Sequence, residues 1–276
     1  MKQTNLIPTF IFFSGLLFTH VSCKKQELIS SEQIKEFSVT SKYTTFDYDI
    51  KVVLPNGFNS DLSYETIYVL DGLSSYLNYR NVAEVSEILS GESGKQNSIV
   101  VGIGGAEHRM DDFTPSPTTG LTGGGGSENY TKFIEFELIP KIEAEFMVDT
   151  TAKSRIIIGH SLGGLYTGYL FTKHPKLFKN YLTLSPSIQW DDGILLDYEF
   201  ETRESNSADS TFVYIGCGEF EEMIVVLAKE WYYRLSTYYP ECRVAFKKWS
   251  NLAHTSSAMR NVEFGLELYY TNKKAE

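Results

Sequence analysis

Six residues narrow what this chain can fold into more than any others. Gly159-His160-Ser161-Leu162-Gly163-Gly164 follows directly on the strand-like Arg155-Ile156-Ile157-Ile158 and leads into the helical pattern Leu165-Tyr166-Thr167-Gly168-Tyr169-Leu170. A strand that turns at once into a helix leaves no room for side chains at the turn. Glycines flanking a serine allow that turn and hold the hydroxyl exposed above a sheet. Without a strand before it and a helix after it, the same G-x-S-x-G would be an ordinary Gly/Ser-rich turn.

The rest of the chain supplies the sheet. Phe46, Tyr48, Ile50, Val52 and Leu54 alternate with mostly polar residues, the period of a half-buried strand, and Pro55-Asn56-Gly57 closes it with turn chemistry. Beyond this point the apolar runs are short and do not alternate: Ile67 to Leu70, Ile99 to Ile103, Ile156 to Ile158, Tyr181 to Leu184 and Phe212 to Ile215. Such runs belong to strands covered on both faces. Helical stretches are predicted over 74–90, 128–147, 162–173, 220–237 and 256–271. The expected fold is α/β, a mainly parallel central sheet opened by antiparallel N-terminal strands, with helices on both faces. The stretch from Gly104 to Gly126 reads as a long mobile loop over an active site. Its four closing glycines are followed by no Gly-Lys-Ser/Thr and make no phosphate cradle.

A chain of 276 residues, 42% of them hydrophobic, can bury one substantial core, and residues 34–276 are expected to form a single domain. A net charge of −10 argues against nucleic acid as a partner, because phosphate binding needs concentrated Lys and Arg. At the N-terminus, Met1-Lys2-Gln3 precedes an apolar stretch from Leu6 to Val21 that ends in Ser22-Cys23. This reads as a lipoprotein-type signal peptide over 1–23, with Cys23 as the lipidated mature N-terminus and 24–33 as a tether. The protein is then expected on the bacterial cell envelope, attached to membrane only through the lipid on Cys23, or secreted if that cysteine is unmodified. Cys217 and Cys242 read as two small buried side chains, with a disulfide between them as the alternative.

A serine hydroxyl is a poor nucleophile at neutral pH and needs a base, itself oriented by an acid. After a strand-turn-helix serine the order is acid and then histidine. Only His174 and His254 follow Ser161. His174 stands at the end of the helix that Ser161 begins and should point away. His254 follows the strand-like Val244 to Trp249 through a short loop and is the candidate base. Glu219, Glu221 and Glu222 cluster after Ile215 as candidate acids, each of which could equally be a carboxylate favoured at a helix start. Backbone donors for a tetrahedral oxyanion are expected from the N–H of Leu162 and from Asp71-Gly72-Leu73, directly after the strand Ile67 to Leu70.

Together these segments resemble the esterase family that includes enterochelin and related siderophore esterases, feruloyl esterases and esterase D. The matching stretches are Val39-Thr40-Ser41 with Ile50 to Pro55, Tyr68-Val69-Leu70-Asp71-Gly72, Arg109 with Asp112-Phe113-Thr114-Pro115, and Phe133 to Pro140. They continue with Gly159 to Leu165, Ser185-Pro186-Ser187 with Trp190, Gly218 with Glu221, and His254. The resemblance implies the α/β-hydrolase fold, nucleophile Ser161, base His254 and an oxyanion site at Leu162, Gly72 and Leu73. It favours Glu221 as the acid, three residues beyond Gly218, although some siderophore esterases work with a Ser-His pair alone. It also places Arg109 and Trp190 near the substrate, against the plainer readings of an Arg109–Asp112 ion pair and simple packing of Trp190. No cofactor and no metal site are implied. The expected activity is hydrolysis of carboxylic esters through an acyl-enzyme, on siderophore esters or on acyl and feruloyl groups linked to glycans. The alternatives are acyl transfer on the same fold and an envelope lipoprotein that only binds a siderophore or glycan.

Overall fold

The structure, a computed structural model, describes residues 33–73, 82–93, 98–117 and 123–273. The signal segment, Cys23 and the tether through residue 32 lie outside the described residues, as do residues 74–81 of the first expected helix.

Among the described residues eight strands form one sheet: β1 (Ile34–Thr40), β2 (Asp47–Val53), β3 (Glu65–Val69), β4 (Ser98–Ile103), β5 (Arg155–His160), β6 (Asn180–Leu184), β7 (Thr211–Gly218) and β8 (Cys242–Trp249), in the order β1-β2-β4-β3-β5-β6-β7-β8. The pairs β1–β2 and β2–β4 are antiparallel, and every other pair is parallel. The alternation in β2 buries Tyr48, Ile50 and Val52 and exposes Asp47 and Asp49. The five continuous apolar runs fall in β3 to β7; every residue of β4, β6 and β7 is buried, and in β3 and β5 all but the first.

The reason lies in the two layers of helix. On one face α1 (Val82–Ser93) and α8 (Ala258–Lys273) bring Val85, Leu89, Val262 and Leu266 against Ile67, Val100, Ile156 and Leu182. On the other, α3 (Ser127–Phe133), α4 (Ile139–Glu145), α5 (Leu162–Lys173), α6 (Ile194–Thr202) and α7 (Glu222–Tyr238) cover Tyr68, Ile157, Val213 and Ile215. Ile156 and Ile157 thus serve opposite cores, which is why neither position can be polar. Each side chain buried this way contributes on the order of 2 to 3 kcal/mol.

Three elements differ from expectation. The stretch 104–126 is built rather than loose where it is described. It holds a 3₁₀ turn, Ala106–His108, and a short helix α2 (Arg109–Phe113), and the glycines fold back upon it. The Gly124 N–H donates to Asp111 Oδ1 at 2.6 Å and the Gly125 N–H to Thr114 Oγ1 at 2.9 Å, so side-chain acceptors organise what glycine leaves free. The helix over 128–147 is interrupted by a π turn, Ile134–Leu138, in which the Ile139 N–H bonds the Ile134 carbonyl. Pro140 follows at once and has no N–H for a regular ladder, so the wider turn accommodates it. Helix α6, not expected from the sequence, starts after Gly193 at φ 89°. Cys217 and Cys242 are both free. Cys242 pairs with Thr211 and Cys217 with Lys248, which sets the two apart by about 20 Å of strand.

Candidate active site

The parallel strands all end on the same edge of the sheet, and the chemistry gathers there. β5 runs into Ser161, whose backbone is held at φ 61° and ψ −117° as the N-cap of α5. That left-handed conformation is strained for a residue with a side chain, and hydrogen bonds hold it in place. The Ser161 N–H donates to the Leu184 carbonyl at 3.0 Å, and the Leu165 and Ser187 N–H groups both donate to the Ser161 carbonyl at 3.0 Å. Gly159 is obligatory, since a Cβ there would meet the Gly163 carbonyl oxygen at 2.2 Å. The Ser161 hydroxyl is partly exposed and lies 3.4 Å from that of Ser187.

The acid and base candidates come from the neighbouring strand ends. β7 ends at Gly218, and Glu221 follows as the N-cap of α7 with its carboxylate buried. Its Oε2 lies 2.6 Å from Nδ1 of His254. Its Oε1 accepts from the Ser185 hydroxyl at 2.9 Å, the Ser257 hydroxyl at 3.3 Å and the Gly218 N–H. Burial alone would raise this carboxyl, but the donors from His254, Gly218 and Ser185 outweigh it and hold it below the ordinary carboxylate range. An ionised Glu221 requires the proton of neutral His254 on Nδ1, leaving Nε2 as the basic nitrogen. The other two carboxylates are engaged elsewhere. Glu219 accepts from Lys248 at 3.1 Å and from the Asn251 N–H at 2.9 Å, while Glu222 is exposed on α7. His174 is the C-cap of α5 and pairs with Glu128 at 2.9 Å.

On the oxyanion side one expectation is corrected. The Gly72 N–H donates to the Ile103 carbonyl at 2.9 Å and has nothing left for a substrate. Its role is steric, since a Cβ there would lie 2.6 Å from Gly102 Cα, and Leu73 remains the donor candidate beside Leu162. Asp71, at φ 53° and buried, heads this turn. Arg109 grips Asp71 with two bonds, Nε to Oδ1 at 3.3 Å and Nη2 to Oδ2 at 3.1 Å, and therefore does not pair with Asp112. Asp112 accepts instead from Tyr48 at 2.9 Å, and burial pushes its carboxyl up to about 8. Trp190 is partly buried and donates from Nε1 to the Ser116 carbonyl at 2.9 Å, its ring against Gly124. Both Arg109 and Trp190 are thus tied to the protein's own framework.

Four polar residues here had no assigned role in the sequence. Ser185, Ser187 and Ser257 join the serine and carboxylate as just described. His160, set aside because it precedes the nucleophile, is buried with Nε2 at 2.9 Å from the His254 carbonyl. The Ser-Pro-Ser run was visible as a segment, but contacts across tens of residues depend on the sheet register.

The fold and the strained serine turn define an α/β-hydrolase with its serine at the strand-to-helix elbow. Residues 41–234 match the family model described as "Putative esterase", and the chain belongs to that family of carboxylic ester hydrolases. It is 28% identical over 205 residues to the ferri-bacillibactin esterase BesA of Bacillus subtilis, covering 67% of this chain and 69% of that protein. It is also 28% identical over 167 residues to the siderophore triacetylfusarinine C esterase of Aspergillus fumigatus, where the aligned stretch spans 56% of each. Among solved structures, the BES protein from Bacillus cereus superposes with a TM-score of 0.73 at 29% identity, over 88% of this chain and 97% of that one.

Proposed function

We propose that Ser161, His254 and Glu221 act together as nucleophile, base and acid, and that the substrate is a siderophore ester. The observation that carries the mechanism is the 2.6 Å contact between His254 Nδ1 and the buried Glu221 carboxylate, at the same sheet edge as the partly exposed, strained Ser161. Ser161 Oγ attacks the ester carbonyl as its proton passes to His254 Nε2. The resulting oxyanion is met by the N–H groups of Leu162 and Leu73. Collapse expels the alcohol, which takes the proton from His254, and water then releases the acid by the same steps in reverse order. Glu221 stabilises the imidazolium formed in each half.

The names of the relatives, esterases of ferri-bacillibactin and of triacetylfusarinine C, support a siderophore substrate. Both names describe an esterase acting on an iron carrier, so the common chemistry is an ester within a small iron-chelating molecule. Purified protein should hydrolyse one or both of those siderophores in preference to emulsified triglyceride. Ser161→Ala should retain the fold and lose at least about a thousandfold in turnover. Near-normal turnover by that variant would refute the mechanism, and cleavage of triglyceride alone would refute the substrate. The N-terminal pattern ending in Ser22-Cys23 supports an envelope lipoprotein acylated at Cys23. Mass spectrometry of the membrane fraction should find an acylated Cys23, and a product cut elsewhere would overturn that assignment.

A further inference from the structure

The loop that carries His254 is tied down at almost every residue. The Glu219 N–H donates to the Trp249 carbonyl at 2.9 Å, the Phe220 N–H to the Leu252 carbonyl at 3.1 Å, and the Ala253 N–H to Ser256 Oγ at 2.8 Å. Gly218 lies under the same loop, so close that a Cβ there would meet the Leu252 carbonyl oxygen at 2.5 Å. The Ala253–Ser256 bond braces the loop internally, and the others hold it to the end of β7 and the turn that carries the acid. The bond from His160 Nε2 to the His254 carbonyl ties it to β5, the strand of the nucleophile.

We infer that His160 is a positioning residue for the reaction, fixing His254 relative to Ser161 through the peptide unit it shares with the nucleophile. The inference rests on the reading of His254 as the base. A carbonyl only accepts, so His160 Nε2 must carry a proton to make the 2.9 Å bond. The two imidazole rings lie 4.5 Å apart between centroids, tilted by 55°, so the His160 ring also packs against the ring it positions. Burial, reinforced by neighbouring His254, pushes His160 down to about 3, so it stays neutral and places no second positive charge beside the imidazolium that forms during attack. Along a strand, adjacent side chains point to opposite sides. Residue 160 therefore reaches what residue 161 cannot, and any shift of the elbow is transmitted to the base loop.

Three variants test this, each checked for folding by circular dichroism and thermal melt. His160→Leu removes the donor while retaining bulk. His160→Gln places an amide N–H near the position of Nε2. His254→Ala tests the underlying reading. His160→Leu should lower kcat by about 10- to 100-fold with KM within about twofold, as expected when a reacting group is slightly misplaced. His160→Gln should recover most of that loss. The downfield N–H proton of the Glu221–His254 bond should be sharp in the wild type and in His160→Gln, and broadened or absent in His160→Leu. If His160→Leu fails to fold, His160→Met takes its place in the same comparison. Wild-type kcat in a folded apolar variant, or no recovery with glutamine, overturns the inference while an inactive His254→Ala leaves the base assignment standing. Activity in His254→Ala overturns both.

Discussion

Glu221 gathers four donors on one carboxylate, two hydroxyls, a backbone N–H and the His254 imidazole, and its competitors do not. Glutamine at this position keeps the shape but offers an amide, which can leave His254 in the wrong tautomer. Glu221→Gln should therefore reduce kcat by at least about a hundredfold, and Glu219→Gln and Glu222→Gln should each stay within about threefold of wild type. Parallel initial-rate measurements decide the matter, and equal small losses in all three would point to a Ser-His pair working alone. The serine turn was legible in the sequence because its steric demand forces glycine at fixed offsets. The choice among three glutamates was legible only through resemblance, since Gly218 does not reveal from sequence which carboxylate turns inward. The contacts of Ser185, Ser257 and His160 were not legible, because each partner lies tens of residues away.

Among the elements, α6 and α7 are joined by a charged cluster in an otherwise apolar layer. The Glu199 side chain is fully buried on α6 and accepts two 2.7 Å bonds from Arg203, one of 3.2 Å from Arg234 on α7 and one of 3.1 Å from Tyr239. Burial disfavours the charge, but these donors more than offset it and hold the carboxyl below its ordinary value. Removing the acid takes the charged acceptor from Arg203 and Tyr239, while Arg234 keeps Glu230 and the Leu196 carbonyl. Because both arginines retain some access to water, Glu199→Ala should cost about 2 to 3 kcal/mol, below the full penalty for breaking a buried pair. A thermal melt should show a drop of roughly 5 to 10 °C, with the specific activity of the folded protein unchanged. Loss of activity without loss of stability would contradict this structural role. Helix α6 escaped the sequence reading because its start is set by the left-handed Gly193, and its polar residues are matched by partners on another helix.

Across the whole molecule, two buried groups give opposite pH dependences. Asp112 rises from 3.8 unfolded to about 8 folded, so the folded state holds the extra proton and stability falls as pH rises through that window. His160 falls from 6.5 to about 3, so its contribution is complete above 6.5 and is lost as pH falls toward 3. Between about pH 4 and 6.5 these two slopes oppose each other, and above 6.5 that of His160 is gone; burial holds the Asp71 carboxyl above its ordinary value as well, which acts in the same direction as Asp112. Urea titrations should show wild-type stability declining from pH 6.5 to 8. Asp112→Asn should make that decline clearly shallower and uncover a rise with pH below 6.5. An unchanged slope in the variant would mean that Asp112 does not carry the proton. At this scale the sheet was the most legible feature, because runs buried on both faces carry no alternation. The packing of the 104–117 segment was hidden by its polar composition, since its order comes from side chains such as Asp111 and Thr114 that bond backbone N–H groups.

The strand that delivers the base is also one of the sheet's two edge strands, with β7 as its one neighbour among the described residues and its own residues mostly only partly buried. Edge segments of this kind exchange their amides through small openings that leave the interior intact. Each such opening would carry His254 away from a nucleophile still held by the central strands. Mild urea should therefore silence the enzyme well before its circular dichroism signal changes, with deuterium entering the 242–254 backbone before that of β5. In that range the protein would be an intact fold with a detached catalyst, recovering as soon as the denaturant is diluted.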